Sequence, residues 1–344
     1  MIIEKIPQDG LTLNEIGRCY FNQGKINDAL GYFLEASKFS SEVFIWSNIG
    51  LALSELDRDD ESIPYLLKAI ENDPTYLGGK YNLAIAYRKL GEFEKALSYF
   101  YEIIQQEPNS IEALNEIGRT LNELKRHKEA LKYFEKVLEI DPNSFNFIYY
   151  NFGVTYLSLK EYDKSIEYLT KLLELNPKDI EALEHLSFAY RGNGDDTKAK
   201  ETLLRMLEID NKDNVALNNL ALYHMQDEEY EEALKYFNKV LEFYPNDFLA
   251  YSNYGIYFFK QGNLDEAIKQ WEKSLKLNPH YSIAWASLGE GYESLSNYEK
   301  AADCYLQAVI NEKDDLSYQE KLKAMYISLG KDFDLEKIIN ENNS

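Results

Sequence analysis

Cysteine and histidine are scarce in this sequence, with two cysteines and four histidines among 344 residues. Cys19 and Cys304 lie near opposite ends of the chain, so we expect no disulfide, which suits a protein of the reducing cytoplasm. The histidines are dispersed, and no His-x-x-x-His, Cys-x-x-Cys, Gly-x-Ser-x-Gly or phosphate-loop pattern occurs. These absences predict a protein without enzyme activity, without a metal site and without a cofactor.

Long apolar segments and basic residues are also in short supply. No run approaches the roughly 20 apolar residues that a transmembrane helix requires, and residues 1–7 carry no secretory signal. The 37 lysines and arginines are outnumbered by 59 aspartates and glutamates, which leaves a net charge of −22. Such a charge repels phosphate groups, so we expect neither nucleic acid nor a membrane surface as a partner.

Proline is rare as well, but its positions are regular. Six of the eight prolines share one phase of a repeat, where each follows an apolar and charged run and ends a helix. A small residue recurs nine times at intervals of 33 to 35 residues, and a second small residue follows each one after twelve positions. The first set is Gly17, Gly50, Ala84, Gly118, Gly153, Ser187, Ala221, Gly255 and Gly289. A large apolar residue directly before the first small residue, and another four positions after the second, predict two amphipathic helices per repeat.

The ninth repeat reads Trp285-x-x-Leu288-Gly289-x-x-Tyr292, followed by Ala301-x-x-x-Tyr305. This pattern resembles the signature of the tetratricopeptide repeat (TPR) family. The resemblance covers nine repeats and a degenerate tenth. It implies an all-α fold, an α-solenoid in which antiparallel helix-turn-helix units form a right-handed superhelix and each first helix lines the concave groove.

The repeat phase also predicts the organisation of the chain. An N-terminal lead-in spans 1–9, and the degenerate tenth unit with its capping helices spans 316–344. The nine repeats between them span 10–42, 43–76, 77–110, 111–145, 146–179, 180–213, 214–247, 248–281 and 282–315. A polar terminal unit covers the last apolar face of an array, so we expect a complete protein rather than a fragment of a longer enzyme.

The seventh and eighth residues of each first helix should pack inward, which directs the second, fifth, sixth, ninth, twelfth and thirteenth residues to the groove. The sixth residue is asparagine in five repeats: Asn48, Asn82, Asn151, Asn219 and Asn253. Asparagine has a low helix propensity, so its recurrence in the middle of a helix requires an explanation. Its amide could hold a peptide backbone, which resembles the asparagine ladder in TPR arrays of O-GlcNAc transferases. It could equally make structural contacts between neighbouring helices, and both interpretations stay open.

Other residues of the same face change in character along the chain. The first six repeats contribute Arg18, Arg88, Lys89, Arg119 and Arg191, which could receive acidic side chains or a carboxylate, or pair with nearby Glu15 and Glu116. From the fifth repeat onward the same phases carry Phe147, Tyr150, Phe188, Met225 and Phe259. Aromatic and methionine side chains on a binding surface are typical of interaction hot spots, although packing against an adjacent repeat is the alternative.

One TPR subtype can be excluded from these positions. TPR co-chaperones that clamp the carboxylate tail of a chaperone carry a lysine as the fifth residue of a first helix, and no repeat here has one. The sequence therefore predicts a protein-protein interaction scaffold that binds a peptide or helical segment of a partner protein, but not a carboxylate-clamp chaperone tail. Self-association of the array, or service as a regulatory arm of a separate enzyme, are the alternatives.

Overall fold

The structure is a computed structural model that describes residues 9–143 and 145–342. Within those ranges all regular secondary structure is helical, and the helices are joined by turns without any strand. It divides into two compact units, Met1–Pro177 and Lys178–Ser344. The all-α fold that the sequence predicts is confirmed.

Each unit is a succession of helices joined by short turns. The first unit contains α1 (Gly10–Asn22), α2 (Ile26–Ala36), α3 (Val43–Glu55), α4 (Asp59–Asn72), α5 (Leu77–Lys89), α6 (Phe93–Gln106), α7 (Ile111–Glu123), α8 (His127–Ile140), α9 (Phe145–Ser158) and α10 (Tyr162–Leu175). The second contains α11 (Ile180–Gly192), α12 (Asp196–Ile209), α13 (Asn214–Gln226), α14 (Tyr230–Phe243), α15 (Phe248–Lys260), α16 (Leu264–Leu277), α17 (Ser282–Ser294), α18 (Tyr298–Asn311), α19 (Leu316–Ser328) and α20 (Leu335–Asn342).

The odd-numbered helices are the first helices of the repeats, and several begin behind a side-chain cap. Asp9 accepts a hydrogen bond from the backbone N–H of Thr12, and Asp179, Asp213 and Asp247 cap α11, α13 and α15 in the same way. These carboxylates satisfy backbone donors that have no partner within the first helical turn. Short polar residues therefore set where these first helices start.

The turn between the two helices of a repeat needs one residue in the left-handed region. Gly24 occupies this place with a φ of 74°, as do Gly91, Gly194 and Gly262 with similar angles. Asp57 holds the same place in the second repeat with a φ of 56°, although a side chain there is less favourable than glycine. The same short turn thus recurs whether or not glycine is present.

Within each unit, the first helices from α1 to α17 pack against their own second helices, and each second helix packs against the next first helix of that unit. First helices of neighbouring repeats also touch directly, as α3 touches α5 and α13 touches α15. This succession of stacked antiparallel pairs is the solenoid arrangement expected for a repeat array.

A small residue on the first helix lets a large side chain of the second helix come close. A Cβ atom added to Gly118 would lie only 2.3 Å from the ring of Phe134, and one added to Gly255 would lie 2.4 Å from Trp271. Both large side chains are fully buried. The small-residue spacing in the sequence therefore records the closest approach of the two helices in each repeat.

The end of the chain packs on the last full repeat. Leu322 and Met325 of α19 are buried in one cluster with Tyr305, and Ile338 of α20 joins them. The lead-in 1–9 lies outside the described residues apart from Asp9. The division into nine repeats with a capping unit at 316–344, and the right-handed superhelix, stay predictions.

We expect Gly118→Val to lower the free energy of unfolding by about 1–3 kcal/mol, because the added methyl groups overlap Phe134 and force the helix pair apart. Urea unfolding followed by circular dichroism measures the change. Gly31→Val is the matched control, since Gly31 lies in α2 with no atom within 4 Å of an added Cβ. The control should change stability by less than about 0.5 kcal/mol. Equal losses in the two variants would contradict the close-approach argument.

Candidate protein-binding surface

The candidate surface is the set of side chains at the second, fifth, sixth, ninth, twelfth and thirteenth positions of the first helices, here called the first-helix face. Direct contacts between neighbouring first helices place these positions next to their equivalents in the adjoining repeat. The two units are described separately.

In the first unit, the predicted asparagines form hydrogen bonds between repeats. In each case the side-chain amide at the sixth position donates to the residue at the fifth position of the preceding repeat. The donor and acceptor pairs are Asn48 to Asn14 at 2.8 Å, Asn82 to Ser47 at 3.0 Å and Asn151 to Asn115 at 2.7 Å. Asn14 and Ser47 are buried, so these bonds also satisfy polar atoms that water does not reach. For these three residues the structure shows the inter-helix contact.

The fourth repeat has Glu116 at the sixth position and is joined to its neighbour by charge instead. Glu116 is 5% exposed. Its carboxylate lies 3.1 Å from Nε of Arg88 in the preceding repeat and 2.7 Å from Nη1 of Arg119. The contact with Arg88 is an ion pair without hydrogen-bond alignment. Two of the predicted basic site residues therefore pair with one buried carboxylate.

Tyr81 lies beside this charge cluster, and the pKa of its phenol indicates that the site has low polarity. Burial, reinforced by the negative charge of Glu116, raises the pKa of Tyr81 to about 12. The phenol is therefore neutral at every physiological pH. A neutral neighbour leaves the Glu116 charge to be balanced by the two arginines.

Two further polar bridges join repeats of the first unit, and the sequence analysis did not identify them as bridges. Lys89 donates through Nζ to the backbone carbonyl of Ser54 at 2.7 Å, and Asn122 donates to Oγ1 of Thr155 at 2.7 Å. Asn122 is the twelfth residue of its repeat and Lys89 is the thirteenth. The sequence therefore predicts the helix face on which each side chain lies, but not the group that it contacts. All four junctions between repeats one and five thus carry a polar contact.

Asparagines of the second unit are used differently. Asn219 donates to the carbonyl of Val215 one turn earlier in its own helix, at 2.9 Å. Asn218 holds the position that would accept from Asn253, but its amide nitrogen donates to Oδ1 of Asn214 at 2.7 Å, and its own buried Oδ1 has no hydrogen-bond partner among the described residues. Asn253 is half-buried and has no hydrogen-bond partner among the described residues. The bridges of the first unit are therefore not repeated by these side chains.

Apolar side chains of the face fall into three environments. In the second unit Phe188 and Phe259 are half-buried, with Phe188 edge-on to the ring of His185 and Phe259 tilted on Trp271. In the first unit Phe147 is 43% exposed and Tyr150 is half-buried. The expectation for Met225 is wrong, because it is only 5% exposed.

Met225 belongs to the core between the seventh and eighth repeats. It lies in one buried cluster with Phe237 and Tyr257. The twelfth residue of a first helix meets the following repeat, and here that contact covers the whole side chain. Packing against the adjacent repeat is thus the interpretation that holds for this residue.

Charge on the second unit's face is sparse and partly suppressed by burial. Burial lowers the pKa of His185, and burial together with Asp213 and Glu181 raises the pKa of Glu184. Arg191 lies over the ring of Tyr223 at 5.7 Å. Arg18, by contrast, pairs with Glu15 in the first unit at 3.0 Å and is exposed.

Among the described residues, no group of three or more histidine, cysteine, aspartate or glutamate side chains is arranged to hold a metal ion. None of the helices in the described ranges is long and apolar enough to cross a membrane.

We expect Glu116→Gln to lower the free energy of unfolding by about 3 kcal/mol, because Arg88 would remain buried beside an uncharged amide. The matched control is Glu15→Gln, which removes an exposed glutamate at the same repeat position, also paired with the arginine three residues later. Its expected effect is about 0–1 kcal/mol. Urea unfolding of the two variants measures the difference, and equal midpoints would show that the buried cluster has no structural role.

Comparison with protein-family models returned matches to several descriptions of the tetratricopeptide repeat. They cover residues 45–76, 76–143, 156–223, 213–277 and 254–315. Residues 125–185 match a family described as regulator of microtubule dynamics protein 1-3, a local likeness that begins before α8 and ends within α11. No curated protein gave a significant match.

Solved structures of MamA are similar to part of the chain. MamA residues 41 to the end from Desulfovibrio magneticus RS-1 are 26% identical, with 48% of this chain and 94% of that chain covered and a TM-score of 0.45. A crystal structure of MamA protein is 23% identical, with coverage of 51% and 95% and a TM-score of 0.40. The family matches, together with successive helix pairs in both units, show that the chain belongs to the tetratricopeptide repeat family.

Proposed function

We propose that this protein is a non-enzymatic protein-protein interaction scaffold that binds a peptide or helical segment of a partner on the first-helix face. Tetratricopeptide repeats are protein-interaction modules in general, and the fold supports that coarse assignment. The finer proposal concerns which part of the face binds. It assigns the principal contact to the second unit.

The unused amide of Asn253 is the observation that carries this assignment. In the first unit, the asparagine donors bond to a neighbouring repeat, so a partner would have to displace existing hydrogen bonds. Asn253 has no such bond among the described residues, and Asn219 bonds only within its own helix. An amide offers both a donor and an acceptor, which matches the alternating groups of a peptide backbone.

Half-buried aromatic side chains beside these amides would supply the apolar contact. Phe188 and Phe259 belong to the sixth and eighth repeats, and Leu222 lies on the face between them, also half-buried. Aromatic anchors that become fully desolvated on binding provide much of the energy of a typical interface. The second unit thus combines backbone-binding and side-chain-binding groups. Phe147, Tyr150 and the exposed part of Arg119 form a separate candidate surface of the first unit.

The net charge of −22 favours a basic partner segment. Two of the arginines that could have received an acidic segment, Arg88 and Arg119, pair instead with Glu116. Long-range attraction of this kind accelerates association and weakens as salt screens it. A cytoplasmic location, suggested by two unpaired cysteines, is part of the same proposal.

We expect Phe188→Ala/Asn219→Ala to lose at least one protein that the wild type captures from a lysate of its host, measured by quantitative mass spectrometry. The matched control is Leu204→Ala/Asn238→Ala, which removes the same kinds of side chain from exposed positions on the second helices α12 and α14. The control should retain the full set. Circular dichroism should show equal helix content for all three proteins.

Identical capture by the three proteins would contradict binding on this part of the face. Loss of a protein from the control alone would assign its contact to the second helices instead. Capture of only the chain itself, with a mass that rises with concentration in light scattering, would favour self-association.

A further inference from the structure

A second feature of the repeats lies away from the first-helix face. In four repeats, an aromatic ring at the eleventh position of the first helix stacks on a tyrosine twelve residues later, in the second helix. The pairs and their ring-centroid distances are Tyr20–Tyr32 at 5.1 Å, Tyr87–Tyr99 at 6.0 Å, Tyr156–Tyr168 at 5.7 Å and His224–Tyr236 at 5.4 Å. In these repeats the tyrosine of the second helix therefore occupies the same space, beside the eleventh residue of the first helix.

The fifth repeat shows what surrounds that space. The ring of Tyr168 contacts three rings of the first helix: Phe152 at 4.6 Å, Tyr156 at 5.7 Å and Tyr149 at 5.9 Å. These residues hold the seventh, eleventh and fourth positions of the repeat. In the second repeat the equivalent tyrosine, Tyr65, stacks on the fourth-position Trp46 at 6.2 Å.

The ninth repeat keeps this surrounding but lacks the ring. Trp285, Leu288 and Tyr292 hold the fourth, seventh and eleventh positions, whereas the place of the tyrosine belongs to Cys304. A cavity of about 430 Å³ is found there, and these four residues and Leu275 supply its apolar lining. This volume lies within the range of small-molecule sites, roughly 300–1,000 Å³. The cavity is thus the space of a side chain that this repeat does not have.

Within the apolar part of the lining, the indole nitrogen of Trp285 is hydrogen-bonded and the Cys304 thiol is neutral. Trp285 donates through its indole nitrogen to the carbonyl of Pro279 at 2.8 Å, so its ring presents only apolar surface. Burial raises the pKa of the Cys304 thiol to about 12, which keeps it a neutral thiol rather than a reactive thiolate. The cavity is therefore suited to non-covalent binding.

Charges of both signs surround the opening. Glu272 and Asp303 are acidic, and Lys276 and Lys300 are basic. The Lys300 ammonium lies 4.9 Å from the centre of the Tyr292 ring and covers part of it. A polypeptide that inserts one ring could meet these charges with its flanking residues, which a free aromatic molecule lacks.

We propose that this cavity between α16, α17 and α18 binds an aromatic side chain of a partner protein, whose ring takes the place that a tyrosine of the second helix holds in other repeats. The geometry favours a ring over an aliphatic chain, because the neighbouring Trp285 and Tyr292 offer stacking and edge contacts. The cavity is independent of the first-helix face. Either site could therefore fail without the other.

Titration with N-acetyl-L-tyrosinamide tests the proposal on the full chain labelled with 5-fluorotryptophan. The three tryptophans give three fluorine resonances, and Trp285→Phe assigns the one of interest. We expect the Trp285 resonance to shift saturably while that of Trp46, which belongs to a different core cluster in the first unit, stays in place. N-acetyl-L-leucinamide should bind at least tenfold more weakly. Equal affinity for both amides, or no Trp285 shift, would overturn the proposal.

Cys304→Tyr supplies the matched variant, since its new ring should fill the cavity as Tyr168 fills the equivalent space. We expect at least a tenfold loss of affinity for N-acetyl-L-tyrosinamide in this variant and unchanged affinity in Cys304→Ser. An unchanged affinity in folded Cys304→Tyr would overturn the proposal. If Cys304→Tyr does not fold, the comparison of the two amides on the wild type decides. Binding of p-cresol without binding of the tyrosine amide would assign the cavity to free aromatic molecules and overturn the proposed occupant.

Discussion

The fit of a large side chain against a small one is the constraint on which each repeat depends. A pair of short helices cannot bury much apolar surface unless the helices approach closely. Phe134 on Gly118 and Trp271 on Gly255 show how that approach is achieved, because the first helix offers backbone where the second offers a ring. The contact fixes the geometry of the pair. Equivalent positions in different repeats therefore meet equivalent neighbours, and the remaining features of the chain can be compared repeat by repeat.

Such comparison explains why polar residues occur beside the core. At the sixth position, asparagine bridges to the preceding repeat, as Asn82 does to Ser47. When the fourth repeat replaces that amide with Glu116, the junction is kept by Arg88 of the preceding repeat, while Arg119 of the same helix pairs with the same carboxylate. A buried charge is tolerated only when it is paired, so the substitution of glutamate requires the arginines around it. The acidic and basic residues of this region are parts of one structural solution.

The sequence was sufficient to predict the helix pairs and their phase, because the same packing pattern occurs in nine successive repeats. It was not sufficient to predict the partners of individual side chains. A helical period states which face a residue occupies, but Asn151 and Asn253 share a face while only Asn151 reaches a neighbour. Met225 was misplaced for the same reason, since its burial depends on Tyr257 of the next repeat. The cavity at Cys304 could be predicted only by comparing its position with the tyrosines that hold the same position in other repeats, such as Tyr168.

Departures from the repeat, rather than the repeat itself, distinguish one array from another. The core positions are similar in every repeat, so they do not let a partner distinguish one array from another. A departure can be compensated within the chain, as Glu116 is by two arginines, and then its side chain is already engaged. Alternatively it leaves something unused: the amide of Asn253, which keeps the recurring residue but lacks the bridge that Asn151 makes, or the space of a missing ring beside Cys304. Only departures of the second kind have binding capacity left for another molecule. Both of these lie in the second unit, which is why we propose that this unit makes the principal contact with a partner.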